Sequence, residues 1–149
     1  MKTFTDQQAK QFRDFVASDV QKSIEAGTNF LTALGLLCYT EFFGSLINDN
    51  VGKTFNSRKN FETGLYAMGK DYELFDKQLK ASFNGRGAYK IFRCGMVHGY
   101  FIDHALAVVA RDNKASGLGL GQNKDGALGM ATANYFLDFM AALDKFVQS

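Results

Sequence analysis

Within residues 88–102, AYKIFRCGMVHGYFI, apolar side chains fall on nearly every side of a helix, and Lys90, Arg93 and His98 are the only groups that carry charge near neutral pH. An arginine cannot shed its proton, so Arg93 on such a helix must find a partner or reach water, or weaken the fold by several kcal/mol, roughly. Held together in an apolar interior, an imidazole and a guanidinium make a candidate polar site that needs no metal. On an α-helix five positions turn the chain by about 140°, so the two side chains flank a face and do not touch. At a two-fold interface the pairs from two copies would converge on one cleft. Two structural readings stand beside the catalytic one. Arg93 can form an ion pair with a carboxylate of the other buried helix, for which Glu41 is the best candidate, and His98 can be a core histidine bonded to a backbone carbonyl.

These residues need a scaffold. Thr5 and Gln8 have capping-box spacing, and Phe12, Val16, Val20 and Ile24 recur every four residues until Gly27, which predicts a first amphipathic helix. Thr28 opens a second helix to about Ile47 with almost no polar face, so this one is expected to be deeply buried. NDNVGKTFNS reads as a loop, Ser57 starts a helix with Phe61 and Leu65 on one side, and a short helix runs from about Asp71 to Phe83 before NGRG. Gly95 and Gly99 each cost up to about 1 kcal/mol within the second buried helix unless a close neighbour needs them, and Gly44 is the surface expected to meet them. ALAVVA, Asp112–Asn113 and KASGLGLG read as a small hairpin, followed by a last helix with Thr132, Phe136, Phe139, Leu143 and Phe146 on one face. The expected fold is therefore all-α: an up-and-down bundle of about five helices, one domain over 1–149, with a small β-hairpin before the C-terminal helix.

Composition narrows the function classes. The 149 residues include fifteen Phe and no Pro, so long helices run unbroken around bulky aromatic cores, and a chain of this size buries roughly two thirds of its surface without staples. A net charge of +2 neither demands nor forbids an RNA partner. Cys38 and Cys94 lie in apolar runs without a second ligand at metal spacing, which predicts reduced thiols, no metal and no cofactor, in a cytoplasmic protein. The N-terminus lacks the apolar core of a signal peptide, and Thr32, Thr40, Glu41 and Ser45 interrupt the most apolar stretch, so no membrane span is expected. GLGLGQNKDG has neither a dinucleotide fingerprint nor the end of a phosphate loop. Lys77, Lys80, Arg86 and Lys90 form a basic neighbourhood beside Tyr89 that either contacts phosphates or is a solvated helix face.

Arg93 and His98, with four residues between them on a buried late helix, resemble the motif of HEPN domains, compact helical bundles that often dimerise and include metal-independent RNA endonucleases. The wider text EFFGSLI, KNFETGLYAMGKDY and YKIFRCGMVHGYF, within residues 34–104, also resembles a group of uncharacterised bacterial HEPN-like proteins. The resemblance implies an RNA-binding or RNA-cleaving homodimer of a bacterial toxin or defence system, with an antitoxin or other protein as partner. It makes Arg93 and His98 the catalytic residues, and the neighbouring Glu41, Arg86, Lys90 and Tyr100 are the candidate binding residues. One departure is Cys94, where active members carry a polar residue after the arginine. The competing expectation is a catalytically silent dimeric module that binds a protein or small ligand and uses Arg93, His98 and Glu41 as a structural network.

Overall fold

The computed structural model describes residues 4–53, 55–99, 107–109 and 117–149, with 98–99 and 107–109 as backbone only. Six helical segments build a bundle, and a small sheet precedes the last of them. Helix α1 (Asp6–Glu25) opens with the expected capping box: Gln8 N–H donates to Thr5 Oγ1, and Thr5 N–H donates back to Gln8 Oε1 at 2.9 Å. Its Val16 and Val20 are buried.

Helix α2 (Asn29–Ile47) is the core helix, burying Ala33, Leu36, Leu37, Phe43 and Leu46. Its threonine and serine hydroxyls bond back to nearby carbonyls, Thr32 donating to Thr28 O, Thr40 to Leu36 O and Ser45 to Phe42 O. By length and composition α2 could cross a membrane, and half of its apolar window is buried inside the bundle.

Helix α3 (Ser57–Ala67) crosses α2 at backbone contact. A Cβ on Gly44 would overlap the Asn60 carbonyl oxygen, and one on Gly64 would overlap that of Thr40. Gly44 therefore serves α3, not Gly95 and Gly99 as the sequence suggested. Phe61 and Leu65, the expected inner face of α3, are fully buried. Helix α4 (Lys70–Ser82) follows, and a π-helical segment, Tyr89–Cys94, then runs straight into α5 (Gly95–Gly99).

Strands β1 (Ala107–Val109), β2 (Leu120–Gln122) and β3 (Leu128–Ala131) form a sheet in the order β1-β3-β2. The hairpin is β2–β3, antiparallel with Leu120 opposite Met130, and β1 joins β3 in parallel with Ala107 opposite Gly129. ALAVVA thus yields a strand, but its partner lies after the glycine-rich segment; the Asp112–Asn113 turn proposed from sequence lies outside the described residues. The observed turn is set by Asn123, whose Oδ1 accepts the N–H groups of Asp125 and Ala127, and by Gly126 at φ 82°. Met130 and Leu128 point inward, and α6 (Thr132–Gln148) leaves β3 directly, burying Tyr135, Phe139 and Leu143. Phe43 meets Phe139 and Phe146 edge-on, with ring centroids 5.7 and 5.6 Å apart.

The crossing of α2 and α3 gives a direct test. Gly44→Ala is expected to cost about 1–3 kcal/mol or more in urea unfolding, because backbone must move to admit the methyl. Gly35→Ala, on the same helix with nothing nearer than Tyr39 Cε2 at 3.9 Å, is expected to be neutral or to stabilise by up to about 1 kcal/mol.

Candidate functional site

The segment that bears Arg93 is anchored at its start by a buried carboxylate. Asp76 of α4 is fully buried; its Oδ1 accepts the Ala88 N–H at 2.7 Å, and its Oδ2 accepts Tyr66 Oη at 2.5 Å and Lys80 Nζ at 2.8 Å. Lys80 also reaches Glu62 at 2.9 Å. Gly87 is required just before this cap, since a Cβ there would overlap Asp76 Oδ1 and crowd the Lys80 chain. The six residues that follow are wound with i→i+5 bonding, a form found mostly as single turns and often at functional sites.

At the far end of this segment Arg93 Nε donates to Glu41 Oε2 at 2.8 Å, and the two side chains are 22 % and 19 % exposed. The pairing inferred from sequence is therefore present, though the guanidinium is part-buried and not sealed in the core. Tyr89 packs on Phe61 with centroids 5.7 Å apart. Burial pushes the Tyr89 phenol up, and the Cys94 thiol beside it adds to the effect. Burial also raises the Cys38 thiol, against the opposing pull of the Arg93 charge. Both cysteines are free.

Of the residues proposed from sequence, the structure brings Glu41 and Arg93 together. Arg86 and Lys90 are exposed. Tyr100 and the His98 side chain lie outside the described residues, as does His104. The 140° separation assumed for Arg93 and His98 does not carry over unchanged, because Arg93 sits in π-helical backbone. The basic neighbourhood is reduced by pairing: Lys77 is bound to Glu73 at 2.6 Å, and Lys80 is turned onto Asp76 and Glu62. Among the described residues no group of three His, Cys, Asp or Glu side chains could hold a metal ion.

Beside the Glu41–Arg93 pair lies a cleft of about 220 Å³ between α2, residues 50–53, the first turn of α3 and the π-helical segment. Asn50, Lys53, Ser57 and Asn60 line it with Glu41 and Arg93. None of these four was named as a site residue from sequence: Asn50 and Lys53 lie in a stretch that signals only a turn, and Ser57 and Asn60 read as the start of a helix. Asp76 was missed as well, although Tyr72, Asp76, Leu79 and Phe83 repeat at spacings of four and three, which places a carboxylate in an apolar stripe. No protein-family model matches the chain, and no curated protein or solved structure matches it.

Two outcomes test this network. Asp76→Ala leaves the Lys80 ammonium and the Ala88 N–H without their buried partner, and is expected to cost about 3–5 kcal/mol in denaturant unfolding. Alkaline stability gives the second. Tyr39 and Tyr66 are pushed up to about 12 from 10.0, by burial first and then by their bonds to Asp19 and Asp76, and burial drives Tyr72 and Tyr135 higher still. Raised folded-state values mean that this stabilisation is complete below about pH 10 and is lost as pH climbs through about 12. Phenolate absorbance is expected to rise late and together with loss of helical circular dichroism; early, independent titration of these tyrosines would contradict the burial.

Proposed function

We propose that this chain is a catalytically silent helical binding module that holds a small ligand in the cleft beside Arg93, with the Glu41–Arg93 pair as a structural brace of that cleft. The 2.8 Å contact between Arg93 Nε and Glu41 Oε2 carries the reading. A guanidinium already answered by a carboxylate has much less positive field to give to a pentacoordinate phosphate, where preorganised positive charge is the main source of rate. Cys94, standing where HEPN nucleases keep a polar residue, points the same way.

The second reading is a HEPN-like, metal-independent ribonuclease, a dimer whose copies bring Arg93 and His98 to one cleft. The π-helical backbone under Arg93 favours it, since such segments occur often at functional sites. One pair of measurements separates the two. Purified protein incubated with labelled mixed RNA in EDTA is expected to leave the RNA intact, and Glu41→Ala and Arg93→Ala are expected to couple by about 1 kcal/mol or more in a thermodynamic double-mutant cycle. Cleavage that disappears in His98→Ala would establish the nuclease, and strict additivity of the two alanine variants would remove the brace.

A further inference from the structure

The connection from α2 to α3 holds the most exposed large apolar side chain among the described residues. Phe55 is 101 % exposed, while the next, Leu31 and Leu137, reach 64 %. Its backbone is as unusual as its ring, with φ at 74° in the left-handed region. Asp49 and Asn84 also have positive φ, but they are of types that tolerate it, whereas a bulky aromatic there is an outlier. The strain returns nothing to the fold, because the ring packs on no part of the core. Glycine would serve the backbone better, so the reason for a phenylalanine here lies outside the fold.

The surrounding charge is one-sided. Residues 50–61 contain Lys53, Arg58 and Lys59 and no Asp or Glu, three positive charges in a chain whose whole excess is +2. All three are exposed. Arg58 shares Glu62 with Lys80, at 3.0 and 2.9 Å, while Lys53 and Lys59 have no carboxylate partner among the described residues. A partner for this point must therefore offer negative charge together with a place for an aromatic ring. A nucleobase or a peptide side chain is gripped by walls, and a ring this exposed has none of its own. No second aromatic continues a stacking track either, since Phe61 is in the core. A bilayer needs no walls: its headgroups give way around an inserted ring, and anionic lipid answers the lysines.

We propose that Phe55 is a membrane-docking wedge, its ring entering the interface of an anionic bilayer with Lys53 and Lys59 against the headgroup charge. One ring and a few cations give attachment that is weak, reversible and sensitive to salt. Phe55 is not part of the cleft lining, although Lys53 is, and the wedge does not depend on the Glu41–Arg93 brace.

Co-sedimentation at low salt with vesicles of phosphatidylcholine containing about one third phosphatidylserine, beside vesicles of phosphatidylcholine alone, tests it. The mixed vesicles are expected to carry the chain down and the neutral ones not, with release at about 0.5 M salt. Phe55→Gly is expected to weaken binding by about fivefold or more without lowering the urea midpoint, because it removes strain and no internal contact. Lys53→Glu combined with Lys59→Glu is expected to weaken it by about tenfold or more, and Lys124→Glu in the hairpin turn to change nothing. The chain has no tryptophan, so Phe55→Trp provides a single reporter, whose fluorescence is expected to shift to the blue on the mixed vesicles. Failure to sediment with the mixed vesicles, equal sedimentation with both kinds, full binding by Phe55→Gly or an unmoved tryptophan emission would each overturn the wedge. A labelled single-stranded oligonucleotide that binds through Phe55 while the mixed vesicles do not would overturn it too, by assigning the tip to nucleic acid.

Discussion

Asp76 places a carboxylate where water does not reach, and the groups that satisfy it come from three parts of the chain. Tyr66 belongs to α3, Lys80 to α4 itself, and the Ala88 N–H to the backbone at the start of the π-helical segment. A buried carboxylate with only one of these partners would be a liability, because the desolvation of an ion costs several kcal/mol before any contact repays it. With all of them it fixes where the segment begins, and thereby the side on which Arg93, five residues on, emerges. Lys80, drawn inward from what would otherwise be a solvated face, links the carboxylate to Glu62 and so ties α4 to α3 a second time.

The other half of the constraint is steric. Gly44 and Gly64 let α2 and α3 approach until side chain on either would strike the other's carbonyl oxygens. That approach sets Asn60 of α3 against the same stretch of α2 that offers Glu41. Glu41 then receives Arg93 from the anchored segment, and the cleft closes between the three elements. The cleft is thus the place where an electrostatic anchor and a backbone crossing meet.

The sequence made part of this legible. Two helices with apolar residues on all sides must pack in the interior, and their few charges have little choice but each other, so Glu41 and Arg93 could be paired from residue type alone. The capping box of α1 and the buried face of α3 followed from spacing. The partner of Gly44 did not, because a small residue signals close approach without naming what approaches. The strand pairing was not legible for a similar reason: turn signals such as Asn123–Gly126 do not name the partner, and it is Leu128–Ala131 that pairs with two other segments. Asp76 was legible in principle, since it stands in the Tyr72–Leu79–Phe83 stripe, but a carboxylate four residues before a lysine on a short helix looks like an exposed ion pair. The π-helical winding has no residue signature in this chain.

Helix α2 shows the limit of hydropathy as a guide. Its length and apolarity are those of a membrane-spanning segment, and its threonine and serine hydroxyls bond back to carbonyls one turn away, as they would in lipid. What it has in addition is lateral commitment. Thr40 also meets Tyr135 of α6 at 2.8 Å, Gly44 lies against α3, and Glu41 holds Arg93. Hydropathy measures which residues gain by leaving water; these three contacts, each specific in geometry, determine what covers them, and they select the one packing in which the cleft exists.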